Sequence, residues 1–153
     1  MLEDNINEVR KARHKESQED FTPTDITALL VEGSEDMMAD FSKTIIDISS
    51  GVCYILVECI KHRIAYCSNE NDVVRAVSTI YGTELHQDNV DEGIQNMKNA
   101  IEDECGKKGI ELSGETMDAI NKILQRNIAC TDTFKWNYSQ WKPFARSNDT
   151  KLF

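Results

Sequence analysis

The stretch from Ser34 to Cys67 constrains the fold more than any other part of the chain. Its apolar residues recur at alternating steps of three and four, which aligns side chains along one stripe of an α-helix. The stripe comprises Met37 or Met38, then Phe41, Ile45, Ile48, Val52, Ile55 and Cys59. From Val52 to Ile60 only Glu58 is polar. The pattern therefore predicts a long, buried central helix over about residues 34–66.

Residues 49–51, Ser-Ser-Gly, are the weak point of this helix. A glycine inside a helix costs about 1 kcal/mol relative to alanine. One interpretation is a helical hairpin that turns here. The other is a single helix bent at Gly51, and it is favoured because the step from Ile48 to Val52 keeps the apolar stripe in phase.

The predicted length of the central helix favours a homodimer. A straight helix of about 30 residues is about 45 Å long, whereas a compact domain of this size is about 38 Å across. The apolar middle of the helix would then extend beyond one subunit and meet a second copy. The predicted dimer interface consists of Val52, Ile55, Leu56 and Cys59.

Helical patterns continue through most of the chain, and the predicted fold is an all-α, single-domain bundle of five or six helices. Further helices are predicted at 25–31, at 70–81 after a Ser68 or Asn69 cap, at 88–105, and at 114–129 after a Ser113 cap. The sequence Gly106-Lys107-Lys108-Gly109 predicts a helix stop. Residues 1–20 form a charged arm or exposed helix, 21–130 the helical core, and 131–153 a distinct C-terminal segment.

The C-terminal segment is aromatic and mildly basic. Six of the eleven aromatic residues of the chain lie in the last twenty positions, and around residue 136 they alternate with polar residues, which favours an extended strip. This strip either folds back over the helices to complete the core or docks onto a partner protein, because aromatic residues are enriched at binding hot spots. Stacking on single-stranded nucleic acid is a third, weaker alternative. The predicted partner-binding residues are Phe134, Trp136, Tyr138, Trp141 and Phe144.

Charge is the second feature that narrows the function. With 27 acidic and 17 basic residues, the chain carries a formal charge of -10, which opposes nonspecific attraction to nucleic acid and anionic membranes. An acidic surface that imitates DNA is predicted from Asp88, Asp91, Glu92 and Glu102. The basic run at residues 10–15 is either a docking patch or a solvated helix face.

Metal and enzyme sites have little support in the sequence. Glu58 and His62 lie one helical turn apart and are weak candidate metal ligands, but no further ligands accompany them. Asp36, Asp40 and Asp47 would share one face of the long helix without the carboxylate spacing of the all-helical nucleotide hydrolases. Phosphate-binding glycine loops and nucleophile elbows are absent from the sequence. No cofactor is therefore predicted.

The sequence predicts a small acidic regulator, adaptor or inhibitor that binds another protein and is not an enzyme. The target protein, in one version of this hypothesis, is a nucleic-acid-handling enzyme that recognises the DNA-like acidic surface. The alternative function is a metal-dependent nucleotide hydrolase of the all-helical type. The odd count of five cysteines, with no CxxC pair and no signal peptide, predicts a reduced cytoplasmic protein. Neither membrane insertion nor direct nucleic-acid binding is expected.

Overall fold

Three short β-strands lie where the sequence patterns predict helices or, after residue 81, a connector. In the computed structural model, which describes residues 7–13 and 31–141, they form one parallel sheet in the order β1-β2-β3. The strands are β1, Ile45–Asp47; β2, Ile80–Glu84; and β3, Ile128–Cys130. The prediction of an all-α bundle is therefore wrong, and the fold is mixed α/β.

Helices precede, connect and follow these strands. They are α1, Glu35–Ala39; α2, Tyr54–Ile64; α3, Glu70–Val77; α4, Gln87–Lys108; and α5, Gly114–Asn127. Residues 7–13 are also helical, and Tyr138–Gln140 form a short 3-10 helix. The predicted helix at 25–31 lies outside the described residues except for its last position.

The continuous central helix predicted over residues 34–66 is wrong, because β1 occupies its middle. Gly51 and Cys53 both have positive φ angles, 52° and 67°, which a right-handed helix does not contain. The β-branched residues between Thr44 and Ile48 favour an extended backbone. They also happen to fall in phase with the helical stripe on either side.

The helix boundaries show which local signals were informative. Asn69 accepts a hydrogen bond from the Asp72 backbone N–H at 3.0 Å, and Ser113 caps α5 in the same way, so these two predicted caps are confirmed. The predicted helix ends at residues 81 and 129 are wrong. Both helices end earlier, and β2 and β3 follow them.

The two faces of the sheet are covered by different parts of the chain. Right-handed crossovers between neighbouring parallel strands place their helices on the same face. Consistent with this rule, Ile45, Ile80 and Ile128 belong to the main hydrophobic core together with residues of α2–α5. Tyr81 and Ala129 point to the opposite face and belong to a separate, small core with Trp141. We call this second surface the open face, since none of α2–α5 covers it.

A fully buried arginine joins the α1–β1 connection to α2. Arg63 is 0% exposed, and its guanidinium donates to the backbone oxygens of Lys43 at 2.9 Å and Met37 at 3.2 Å. It also donates to Thr79 Oγ1 at 3.0 Å, and it lies over the Phe41 ring. Burial lowers the pKa of Arg63, so these acceptors have to stabilise a desolvated charge.

Within residues 7–13 and 31–141, every helix is too short or too polar to cross a lipid bilayer.

Candidate docking surface on the open face of the sheet

The C-terminal segment crosses the open face immediately after β3. Thr133 Oγ1 donates a hydrogen bond to the carbonyl oxygen of Ile48 and lies 2.6 Å from Thr83 Oγ1. The chain therefore passes from β3 over the end of β2 to the end of β1. It then returns through the 3-10 helix to the start of β3.

Trp141 anchors the returning chain in the small core. It is 2% exposed, its ring centroid lies 5.0 Å from that of Tyr81, and its indole N–H donates to the Arg126 carbonyl at 3.1 Å. The ring of Trp136 packs against it at 5.7 Å. These contacts bury Trp141 and half-bury Trp136, so this part of the strip completes the fold.

Four apolar side chains remain exposed beside this core. Phe134 is 95% exposed, Ile48 55%, Ile46 39% and Tyr138 38%. Hydrogen bonds link the segments that carry them: Thr133, which precedes Phe134, bonds to Ile48, and Tyr138 donates its hydroxyl to the Thr133 carbonyl at 2.9 Å. Ile46 lies two residues before Ile48, on β1. We call Ile46, Ile48, Phe134 and Tyr138 the open-face patch.

The structure divides the predicted partner-binding residues into two groups. Phe134 and Tyr138 belong to the open-face patch, whereas Trp136 and Trp141 pack into the small core. Phe144 lies outside the described residues. Sequence reasoning missed Ile46 and Ile48, which the helical pattern placed on the predicted central helix. The β-branched run at residues 44–48 is the signal that could have identified them as strand residues.

The residues predicted to form the dimer interface are already buried within the single chain. Val52, Leu56 and Cys59 are at most 3% exposed, and Ile55 is half-buried against the same core. Helix length also no longer favours a second copy, because α2 has only 11 residues. A homodimer therefore stays a prediction without its original physical reason.

Arginines of the N-terminal helical segment cover half of the predicted acidic surface. Arg13 forms a bidentate pair with Asp88, with both N–O distances at 2.8 Å, and this pairing lowers the pKa of Asp88. Arg10 contacts Glu92 at 2.6 Å. Asp91 accepts a hydrogen bond from Gln87 at 2.8 Å, and Glu102 is exposed. The surface is therefore less negative than its sequence predicts.

The weak metal-ligand candidates acquire no further ligands. Glu58 Oε1 pairs with Lys61 at 3.1 Å, and His62 is half-buried one turn further along α2. Among the described residues, no group of three or more His, Cys, Asp or Glu side chains is arranged to hold a metal ion. Asp40 and Asp47 no longer share a helix face, since one follows α1 and the other ends β1.

A carboxylate cluster lies at the carboxyl ends of β1 and β2, where ligands commonly bind in parallel sheets. Glu84 is 9% exposed and accepts backbone N–H bonds from Gly51 at 3.1 Å and His86 at 3.0 Å, and an amide bond from Asn89 at 3.2 Å. Burial, reinforced by the charge of Glu84, raises the pKa of Asp47. Because one of these bonds comes from Gly51, Glu84 holds the loop after β1 in place.

The cysteine thiols are poor nucleophiles. All five cysteines are free, and Cys130 is the exposed one. Burial raises the pKa of Cys53 and Cys67 to about 12, and of Cys59 and Cys105 to about 11. The thiolate is the reactive form, so these buried thiols stay protonated at neutral pH.

Comparison with known proteins adds no functional information. No family model matches the chain, and neither a curated protein nor a solved structure shows significant similarity to it.

Proposed function

We propose that this protein is a protein-binding module whose docking surface is the open-face patch. The observation that carries the proposal is Phe134, a large apolar side chain that is 95% exposed and directly follows Thr133, the residue that bonds to the exposed Ile48. Exposed apolar residues are common singly, but a contiguous group on one surface marks an interaction site. Aromatic side chains at the centre of such a group supply much of the binding energy.

The partner we expect is a protein with an apolar pocket and a basic surround. A pocket is required because Phe134 projects almost completely into solvent. A basic surround is favoured beyond the immediate neighbourhood of Lys135, because the whole chain carries a formal charge of -10, which accelerates association with a positively charged surface. The all-helical hydrolase alternative loses its basis, since it required carboxylates on one long helix.

Site-specific photocrosslinking tests this surface directly. A benzophenone amino acid at position 134 of the full chain is irradiated in a lysate of the source cells, with the same group at the exposed Lys122 of α5 as the matched control. A specific partner should crosslink at 134 and not at 122. An excess of unlabelled wild-type protein should suppress the crosslink, whereas the double variant Phe134→Ser, Ile48→Thr should not.

The purified partner then allows a quantitative test. As a hot-spot residue, Phe134 should contribute at least about 2 kcal/mol, so that Phe134→Ala weakens binding about 30-fold. The same substitution should leave the melting temperature nearly unchanged because the side chain is exposed. Crosslinks that are identical at 134 and 122, or equal competition by wild type and the double variant, would refute the proposal.

A further inference from the structure

A cleft of about 550 Å³ runs along the free edge of β3. Val90 and Ile94 of α4 line it from the helical face, Trp136 lines it from the open face, and Ile128–Cys130 of β3 lie between them. A cavity that is lined from both faces of a sheet and by an outer strand has to lie at the edge of the sheet. Within the described residues, β2 is the single strand that pairs with β3. We call this cavity the β3 cleft.

The free edge presents backbone hydrogen-bonding groups to the cleft. The Thr131 N–H donates to the Glu84 carbonyl of β2 at 2.8 Å. Successive backbone groups of a strand point in opposite directions, so the N–H and C=O of Cys130 point away from β2. The Ile128 carbonyl points the same way, whereas the Ile128 N–H already donates to Leu124 of α5. Three edge groups are therefore directed toward the β3 cleft.

The charges that line the cleft are separated along the strand. α4 begins where β2 ends and runs back along the sheet, so Lys98 lies toward the start of β3, where Arg126 also lies. Asp91 lies one to two turns from the beginning of α4, toward the end of β3. Between these ends Val90 and Ile94 on one side and Trp136 on the other are apolar. Amide side chains complete the lining: Gln87, Gln95, Asn121 and Gln125.

We propose that the β3 cleft binds an extended peptide segment of a partner protein as an antiparallel fourth strand. Such strand addition combines backbone hydrogen bonds for affinity with alternating side-chain pockets for specificity. The antiparallel direction is favoured because its ladder is slightly more stable than a parallel one. The charge separation then requires a basic residue at the peptide's amino end, beside Asp91, and an acidic residue at its carboxyl end, beside Lys98 and Arg126. Alternate residues between them are apolar.

This site is separate from the open-face patch, and its test is independent of the proposed function. The probe is the acetylated, amidated peptide Lys-Val-Thr-Val-Thr-Asp, titrated into the full chain and followed by tryptophan fluorescence and by amide chemical shifts, including the indole N–H of Trp136. We expect saturable binding, with shifts concentrated in β3 and the cleft-facing side of α4. The same peptide N-methylated at its edge-facing residues should bind at least about tenfold more weakly, because its hydrogen bonds are lost.

Two variants of Cys130 form a matched pair in the protein. Cys130→Ser keeps the outward N–H and should bind the peptide as wild type does. Cys130→Pro removes this donor, which an edge position tolerates, and should weaken binding about 5- to 10-fold. The N-methylated peptide provides the same test on the wild-type chain if the proline variant does not fold.

Hydrogen exchange identifies whether the edge is available. The Cys130 amide should exchange rapidly in the free protein and become protected when the peptide binds. Protection in the free protein would show that the chain itself or a second copy already covers the edge, and this result would overturn the proposal. Equal affinity for the N-methylated peptide, or shifts confined to the open-face patch, would also overturn it.

Discussion

Two glycines in α4 should respond to the same substitution with opposite signs. Gly93 is buried where α4 crosses the start of α2, and a Cβ added there would lie 2.6 Å from Cys53 Sγ and 3.3 Å from the Val52 carbonyl carbon. Gly106 is exposed near the end of the same helix, and a Cβ added there would meet no atom within 4 Å. Neither glycine has a positive φ angle, so both can become alanine without backbone strain.

The expected magnitudes follow from two opposing terms. Alanine stabilises a helix by up to about 1 kcal/mol relative to glycine, and this is the whole effect at Gly106. At Gly93 the new methyl group overlaps the Cys53 sulfur, which cannot withdraw because Cys53 is 0% exposed and holds a φ of 67°. Overpacking of this kind costs about 1–3 kcal/mol. Because both the sulfur and the backbone are crowded, we take the upper end of this cost, about 3 kcal/mol. The gain of about 1 kcal/mol from alanine then leaves a net destabilisation of about 2 kcal/mol for Gly93→Ala.

Urea denaturation measures both variants. With a slope of about 2 kcal/mol per molar urea, Gly93→Ala should lower the midpoint by about 1 M, while Gly106→Ala should leave it unchanged or raise it. Cys53→Gly removes the overlapping atoms and suits the positive φ, so adding it to Gly93→Ala should recover about 1–2 kcal/mol in a double-mutant cycle. Equal midpoints for Gly93→Ala and Gly106→Ala would refute the close α2–α4 packing on which this reasoning rests.

Three further predictions concern buried and paired charges. Arg63→Met should destabilise the fold by about 3–5 kcal/mol because it leaves buried oxygens without donors. The control Arg75→Met, at a side chain that is 56% exposed, should change stability by less than about 0.5 kcal/mol. Equal urea midpoints for the two variants would contradict the role of Arg63. The raised pKa of Asp47 means that the folded state holds its proton to higher pH than the unfolded state does. Asp47→Asn should therefore raise the melting temperature at pH 7. This gain should disappear as the pH falls first through the pKa of Asp47 in the folded state and then through its pKa in the unfolded state. The lowered pKa of Asp88 has the opposite sign: Asp88→Asn should lower the melting temperature at pH 7 by a small amount, and the loss should vanish as pH falls through the folded pKa. Parallel pH profiles for both variants would rule out these assignments.

Local signals identified the helices that follow a clear cap. Asn69 and Ser113 each place a side-chain oxygen where it accepts a backbone N–H of the first turn, and this depends only on residues three apart. The stop after α4 is equally local, because Gly109 adopts a φ of 70° that glycine tolerates better than other residues. The aromatic composition of residues 134–141 also marked the segment that carries Phe134.

The strands, and with them the candidate site, depended on contacts far apart in the sequence. β1 and β3 contribute three residues each, which is too short for a two-residue period to stand out against a helical stripe. Their pairing joins Ile45 to Ile80 and Gly82 to Ile128, and no pattern within one segment specifies such partners. In the sequence, the helical periodicity therefore predicted a helix at residues 44–48, although their β-branched composition favours a strand.

The sequence by itself determined the acidic charge, the capped helices and the presence of an aromatic C-terminal segment, because each of these follows from composition or from neighbours within one turn. Only the tertiary structure decided which aromatics face solvent. Helices cover one face of the sheet, and on the other face Trp141 packs against Tyr81. Thr133 forms a hydrogen bond with Ile48, and the next residue, Phe134, is exposed to solvent. Burial of an aromatic ring requires a surface to pack against, and that surface exists only once the three strands have paired.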